Sequence, residues 1–384
     1  MARVLYLGPP SAVRLPGRVT SGDLLSRLGR NTGNLLFGDA IQRHLAPNVL
    51  CRLDDLLRSE EPPLPIEALD PADLEARFDA IVIGAANFLH PASDFTHWAR
   101  FLESVRLPTT IIGLGAQAPD YSLDVSVTAG TERLVRIVAE RSKSLGVRGA
   151  FTASVLERLG ITNVRVIGCP SMFWSCQPTI SIEMRPHDRP VAVWVNGSAN
   201  VVGHASDVAA ATRVEMLLAR LSFEHGYPYV LQNESELMDI LFEAPGACDA
   251  SLVGALAARY GLPEQSPAAF IDFVRRHTRV YASTRTWIEA ASRCDLVLGT
   301  RFHGTLVGLL AGVPGLVFVH DARTREMCEF LQIPHRDVRS VDTIDIELLL
   351  HSLDVAPLIA AYPGLFRNYV EFLDENGLEH ALPH

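Results

Sequence analysis

The residues best placed to do chemistry are Thr300-Arg301-Phe302-His303-Gly304, which sit between an apolar run and a small-residue segment. If the first is a strand and the second a helix, Arg301 and His303 stand beside the free N–H groups of a helix start. Such a junction suits an anion, either phosphate or carboxylate. Arginine offers a planar fork for bidentate contact, and histidine titrates near neutrality and can act as an acid or a base. Read alone, the same pair could equally satisfy backbone carbonyls or a carboxylate at a structural joint. Arg148, in Val147-Arg148-Gly149, occupies a second junction of this kind; it is either another anion ligand or a surface arginine in a salt bridge. In Gly33-Asn34 and Gly38-Asp39, glycines bracket a predicted tight turn, and Asp39 falls near a predicted helix start as either a cap or a site residue.

The elements that must position these groups follow from hydrophobic runs. Asp295-Leu296-Val297-Leu298 ends at Gly299, Thr305 to Leu310 is stopped by Gly312 and Pro314, and Leu316 to Val319 is again apolar. That is a βαβ unit, which favours a parallel sheet covered by helices. Comparable strands are predicted at 4–7, 78–83, 109–114, 145–147, 164–167, 191–195, 229–231, 279–281 and 337–341. Helices are predicted at about 132–143, 150–159, 214–223 and 286–292, and within 348–373. Residues 59–73, rich in Pro, Glu and Asp, read as a surface excursion. Gln177 to Pro190 loses apolar periodicity and reads as a linker. The expected fold is therefore α/β, with an N-terminal Rossmann-like domain at 1–178 and a C-terminal one at 188–384 facing a cleft. The final helices are expected to pack back on the first domain. Ligands of such sheets bind beyond the carboxyl ends of the strands. The loops there bring forward Asn34, Asn87, Gly115, Gln117, Arg148, Asn196, Thr300, Phe302, Gly304, Thr305, His320 and Arg323 as binding candidates, with His303, Arg301 and Asp39 as catalytic ones.

Composition narrows the classes. The chain has 384 residues, 48% of them hydrophobic, enough for a large core. A net charge of −10 argues against nucleic-acid binding. No stretch of about 18 uninterrupted apolar residues predicts a membrane span, and Met1 to Gly8 reads as a strand and turn, which predicts a cytoplasmic protein. The 6 cysteines form no CxxC pair, so neither a disulfide framework nor a metal site is expected. Of the 34 basic residues only Lys143 is lysine. There is no GxxxxGK[ST] phosphate loop, and anion binding must rest on arginine, histidine and backbone amides. Gly113-Leu114-Gly115 lacks the third glycine of a dinucleotide fingerprint.

Taken in order, these pieces resemble the polysaccharide pyruvyl transferase family. The resemblance is carried by Gly33-Asn34 with Gly38-Asp39, Gly84-Ala85-Ala86-Asn87, Gly113-Leu114-Gly115, Val147-Arg148 through Leu159-Gly160, Gly168-Cys169-Pro170 and, above all, Asp295 to Pro314. The chain departs from the family pattern in three places. Leu35-Leu36-Phe37 lengthens the first turn by two residues, Cys169 replaces a common aspartate, and Arg323 and Arg325 stand where a lysine is frequent.

The resemblance implies a GT-B-like fold and transfer of a pyruvyl group from phosphoenolpyruvate to a sugar or glycan, forming a ketal and releasing phosphate. It implies no cofactor beyond that donor. Arg301, Arg148 and Arg323 would hold the donor's anionic groups, and His303 would act as a near-neutral acid or as a phosphate stabiliser. The helix near Gly304 would face the leaving phosphate, and Asp39 would be a base for the acceptor hydroxyl. Which of Arg301 and His303 meets phosphate and which meets carboxylate stays open, as does a homo-oligomeric assembly. A nucleotide-sugar-dependent glycosyltransferase and a non-catalytic sugar-binding protein are the alternatives on the same fold.

Overall fold

A computed structural model describes all residues except 14–18, 59–63, 185–190 and 245. Short runs of branched apolar residues, buried on both faces, form two parallel sheets of six strands, as expected where helices cover both sides. The first contains β1 (Arg3–Leu7), β2 (Val49–Arg52), β3 (Ala80–Gly84), β4 (Thr109–Leu114), β5 (Leu145–Val147) and β6 (Val164–Val166), in the order β2-β1-β3-β4-β5-β6. The second contains β7 (Val193–Asn196), β8 (Tyr229–Val230), β9 (Thr278–Arg279), β10 (Leu296–Gly299), β11 (Gly315–Val319) and β12 (His335–Asp337), in the order β12-β11-β10-β7-β8-β9. Strand order reverses between β1 and β3 in one sheet and between β7 and β10 in the other. At such a switch point neighbouring loops diverge to opposite faces and leave a crevice. The β7–β10 crevice is where Arg301 and His303 emerge.

Six helices matter for the site: α1 (Asn34–His44), α2 (Ala150–Arg158), α3 (Val208–His225), α4 (Phe302–Leu310), α5 (Ala322–Leu331) and α6 (Ala356–Glu375). Each sheet has its own core, and a further apolar cluster is shared. It joins Leu36, Phe37, Met172 and Phe173 to Phe302, Leu306 and Val307. Helix α6 packs on first-domain elements. Asn368 Nδ2 donates to the Val166 carbonyl at 2.8 Å, the Tyr362 hydroxyl donates to the Met172 carbonyl at 3.2 Å, and Arg165 pairs with Glu371 and Glu375. His44 is buried between the two; its Nε2 donates to the Phe173 carbonyl at 2.9 Å and its Nδ1 accepts the Tyr369 hydroxyl at 3.0 Å. No single described helix is long and apolar enough to cross a membrane.

Several elements differ from expectation. Gly38-Asp39 lies inside α1, not in a turn, because the helix already starts at Asn34; Asp39 is therefore no N-cap. Strand β2 had no sequence signal, since it is a short, partly exposed edge beginning at exposed Val49. Within the 59–73 excursion, Pro71 opens a helix capped by Asp70, and residues 59–63 lie outside the described residues. The linker reading of 177–190 is described only to residue 184, and there the Glu183 N–H donates to the Gly312 carbonyl at 3.1 Å. The last strand is His335–Asp337; the chain then makes a short 3-10 turn where a strand to Val341 is predicted.

Candidate functional site

At the end of β10 the backbone runs against the end of β7. A side chain at Gly299, where φ is +159°, would come within 2.2 Å of the Asn196 carbonyl oxygen, and one at Gly304 within 2.7 Å of the Asn196 side chain. Both glycines are thus required by close approach. Asn196 Nδ2 donates to the Leu298 carbonyl at 3.1 Å and lies 3.3 Å from the Thr305 hydroxyl, so Asn196, Gly304 and Thr305 lock this corner internally. Phe302 is buried in the shared apolar cluster. Helix α4 begins here with no side-chain cap on its first N–H groups.

Two buried carboxylates flank the corner. Glu215 of α3 accepts the Ser198 N–H at 2.5 Å and bonds the Thr300 hydroxyl. Burial is the largest influence on it and, outweighing these bonds and the attraction of Arg301, pushes its pKa up to about 8. Glu234 pairs with Arg301 Nη2 at 2.6 Å, and the same nitrogen donates to Ser198 Oγ at 2.6 Å and to Asn233. One nitrogen of the Arg301 fork, Nη2, is thereby committed within the protein. The buried Nε and the Nη1 have no hydrogen-bond partner among the described residues.

His303 lies at the domain boundary. Its Nε2 is 3.4 Å from Cys169 Sγ, and its ring centroid is 6.0 Å from that of Phe37. Burial first, then the nearby charges of Arg148 and Arg323, drive its pKa well below the ordinary histidine value. The near-neutral acid expected here is corrected: the ring rests neutral. Arg148 is 1% exposed, so it is no surface arginine. Its Nε donates to the Gly113 carbonyl at 2.8 Å, Nη1 to Asn87 Oδ1 at 3.3 Å and Nη2 to the Ala85 carbonyl at 3.3 Å, while its guanidinium carbon lies 5.5 Å from the Phe37 ring centroid. No carboxylate lies within salt-bridge distance of it among the described residues. A side chain at Gly115 would meet Arg148 Cδ at 3.1 Å, so the bare glycine lets the guanidinium lie flat.

The two domains are tied beside this pocket. Gln117 Nε2 donates to Asp321 Oδ2 at 2.7 Å, and its Oε1 accepts Asn87 Nδ2 at 3.1 Å. The Ala322 N–H donates to the Ala118 carbonyl at 3.1 Å. Burial opposes the charge of Asp321, but His320, Arg323 and its hydrogen bonds win and hold its carboxyl well below the usual range. His320 Nε2 is 3.5 Å from Asp321, and its buried Nδ1 has no partner among the described residues. Arg323 Nε lies 3.7 Å from Asp321 Oδ2 and is likewise unsatisfied. Glu326 of α5 reaches the start of α2, accepting the Thr152 N–H at 2.9 Å and the Thr152 hydroxyl at 2.6 Å. At the anion site predicted at the Arg148 junction, the protein's own carboxylate therefore takes one of the helix N–H groups, that of Thr152. Burial, outweighing those bonds and Arg148, raises the Glu326 pKa to about 7. A cavity of about 350 Å³ opens alongside, lined by Tyr121, Ser206, His320, Asp321 and Arg325 among others.

The structure thus gathers His303, Arg148, Asn87, Gly115, Gln117, His320 and Arg323 around one boundary. It turns Asn34 elsewhere, since its amide donates to the Leu28 carbonyl at 2.8 Å. Asp39 accepts the Trp174 indole N–H at 2.6 Å, and burial raises its pKa. Cys169, Glu215, Glu234, Asp321 and Glu326 were not singled out as site residues. Glu215 and Glu326 had a signal: each falls on the apolar stripe of its helix, as Ala211, Glu215, Leu218 and Ser222 show. Among the described residues Asp374, His380 and His384 could face a metal ion. However, His380 Nδ1 accepts the Leu382 N–H at 3.2 Å, which leaves Nε2 protonated toward Asp374.

Two Rossmann-like domains meet at their strand ends, with an arginine-and-histidine pocket between them, in a two-domain α/β fold. The chain belongs to the polysaccharide pyruvyl transferase family, whose profile matches residues 31–322. No curated protein matches it. Among solved structures, a UDP-N-acetylglucosamine 2-epimerase aligns with a TM-score of 0.46 at 9% identity, over 100% of this chain and 98% of that one. Anabaena HepE in complex with UDP and glucose gives 0.43 at 10% identity, over 98% and 96%. S. aureus MnaA with UDP gives 0.43 at 9% identity, over 97% and 91%.

Proposed function

We propose that the protein transfers the pyruvyl group of phosphoenolpyruvate to two hydroxyls of one sugar residue, forming a cyclic ketal and releasing phosphate. Beyond family membership, the observation that carries this reading is Arg148: a wholly buried guanidinium bonded only to neutral oxygens, near a second under-used arginine, Arg323, and a neutral histidine. A site in which, among the described residues, Arg148 has no carboxylate within salt-bridge distance and Arg323 reaches only Asp321 suits a substrate carrying both a carboxylate and a phosphate.

In this reading Arg148 and Arg323 hold the donor's anionic groups, and the uncapped start of α4 faces the phosphate. Protonation at the methylene carbon creates an oxocarbenium-like centre at the neighbouring carbon. One hydroxyl adds there, the carbon–oxygen bond to phosphate breaks, and the second hydroxyl closes the ketal. The two hydroxyl protons balance the step: one equivalent becomes part of the new methyl group and the other leaves with phosphate. His303, neutral at rest, is suited to take the proton of the attacking hydroxyl. Asp39 remains a second base candidate for the acceptor, and Arg301 supports the corner through its pairing with Glu234.

The test is acceptor-dependent release of inorganic phosphate from phosphoenolpyruvate, preceded by thermal shift with phosphoenolpyruvate and with UDP- and GDP-sugars. Stabilisation by phosphoenolpyruvate, lost in Arg148→Met, is expected. Stabilisation by a nucleotide sugar and none by phosphoenolpyruvate would overturn the reading in favour of glycosyl transfer.

A further inference from the structure

The ring of His303 has two different ends. Nε2 faces Cys169 Sγ at 3.4 Å, and that sulfur lies 2.9 Å from Ser171 Oγ; Cys169 and Ser171 are both fully buried. Nδ1 has no protein partner among the described residues. It points toward Gly33, where an added Cβ would sit 3.0 Å from it, 2.6 Å from Gln232 Oε1 and 2.9 Å from Asn31 Oδ1. This side of the ring is therefore closely packed against Gly33, where only a residue without a side chain fits. The charged groups bearing on the ring are Arg148 and Arg323, both cationic, and Phe37 and Phe302 pack near it.

A neutral imidazole carries its proton on one nitrogen only, and the partner of one end decides the state of the other. We infer that Cys169 is a positioning residue that accepts the Nε2–H of His303, with its own S–H turned to Ser171, so that the ring's lone pair is left on Nδ1. A thiol suits this task. It fixes the tautomer through a weak acceptor. Nδ1 then becomes the nitrogen that receives the acceptor's hydroxyl proton, which is the only part of the inference that rests on the pyruvyl-transfer reading.

The experiment compares wild type with Cys169→Ala, Cys169→Ser and Cys169→Asp, all checked for equal far-UV circular dichroism. Nitrogen-15 spectra of the imidazoles, with His303→Gln to assign the signal, should show His303 protonated at Nε2 in wild type. They should show a tautomer mixture in Cys169→Ala and recovery in Cys169→Ser. In the kinetic arm, Cys169→Ala should lower kcat at least about tenfold, a fraction of the ~10²–10⁴ a positioned base contributes, with little change in KM for phosphoenolpyruvate. Cys169→Asp should keep the tautomer but move the acid limb of kcat/KM at least about one pH unit upward. A wild-type ring protonated at Nδ1, or a tautomer unchanged in Cys169→Ala, overturns the inference. If no phosphate is released with any acceptor, the functional reading fails while the spectra still decide the role of Cys169. Should Cys169→Ala not fold, the Ser and Asp variants carry both readouts.

Discussion

Arg148 shows how one side chain can be structural and functional at once. It is held by the Gly113 and Ala85 carbonyls and by Asn87, and replacing it with methionine leaves those buried acceptors without a donor. Each such loss costs about 1–3 kcal/mol, so Arg148→Met should be destabilised by roughly 2–4 kcal/mol in urea unfolding and should lose donor-induced stabilisation. Arg148→Lys should recover part of the stability but not the donor response, because an ammonium cannot span the three acceptors and still face a ligand. The sequence exposed Arg148 as a charged residue at a strand-to-helix junction, but its partners were hidden. Asn87 and Gly113 lie 61 and 35 residues away, and nothing local announces them. His303 was visible for the same reason as Arg148, while its pKa direction was not, because that depends on burial and on Arg323 arriving from another loop.

At the level of elements, the ends of helices decide who meets whom. Helix α2 starts at Gly149 and is capped by Glu326 of α5, a partner 174 residues from Thr152. An added Cβ at Gly149 would lie 2.4 Å from Glu326 Oε2 and 2.7 Å from Glu326 Cβ. Its backbone is extended and accepts any residue, so the penalty of Gly149→Ala is purely one of space. We expect a loss of about 1–3 kcal/mol from overpacking, measured by urea midpoint. Glu326→Gln should cost less, since the amide oxygen still accepts the Thr152 N–H. The strands and helices themselves were largely legible, because parallel strands buried on both faces read as continuous apolar runs. Strand β2 escaped because it is half-exposed and carries no such run. Helix α3 hid Glu215 because a glutamate in a helix is ordinarily taken for a solvated one, and α5, which carries Glu326, was itself not predicted.

For the whole molecule, buried titratable groups predict a stability optimum in pH. Glu215 and Glu326, raised to about 8 and about 7, keep protons in the folded state that the unfolded chain has already released. Folded protein therefore binds more protons above pH 4.5, and these groups make stability fall as pH rises through 7 and 8. His44, lowered to about 4, and His303 and His320, also lowered, act oppositely: the unfolded chain protonates near 6.5 while the folded one does not, so stability falls as pH drops below 6.5. The optimum should lie near pH 6.5. Glu215→Gln, whose amide can keep the Ser198 and Thr300 bonds, should remove about 2 kcal/mol of the decline between pH 6.5 and 8. Urea midpoints across that range for both proteins check this; parallel declines would contradict the assignment.

The return of α6 to the first domain has a mechanical consequence. The polypeptide passes from one domain to the other between Cys176 and Glu183 and again near Leu353, where the short helix Ile346–Ser352 in the second-domain core gives way to α6. The segment after β1 also reaches the second domain, with the Val13 N–H on the Ala282 carbonyl, the Thr32 N–H on the Gln232 carbonyl and Leu24, Leu25 and Leu28 in its core. A body joined to another by one cord can swing and twist about it in any direction; each further cord removes part of that freedom. The Gln117–Asp321 and Thr152–Glu326 bonds are additional ties between the same two bodies, and they would have to part for the domains to separate there.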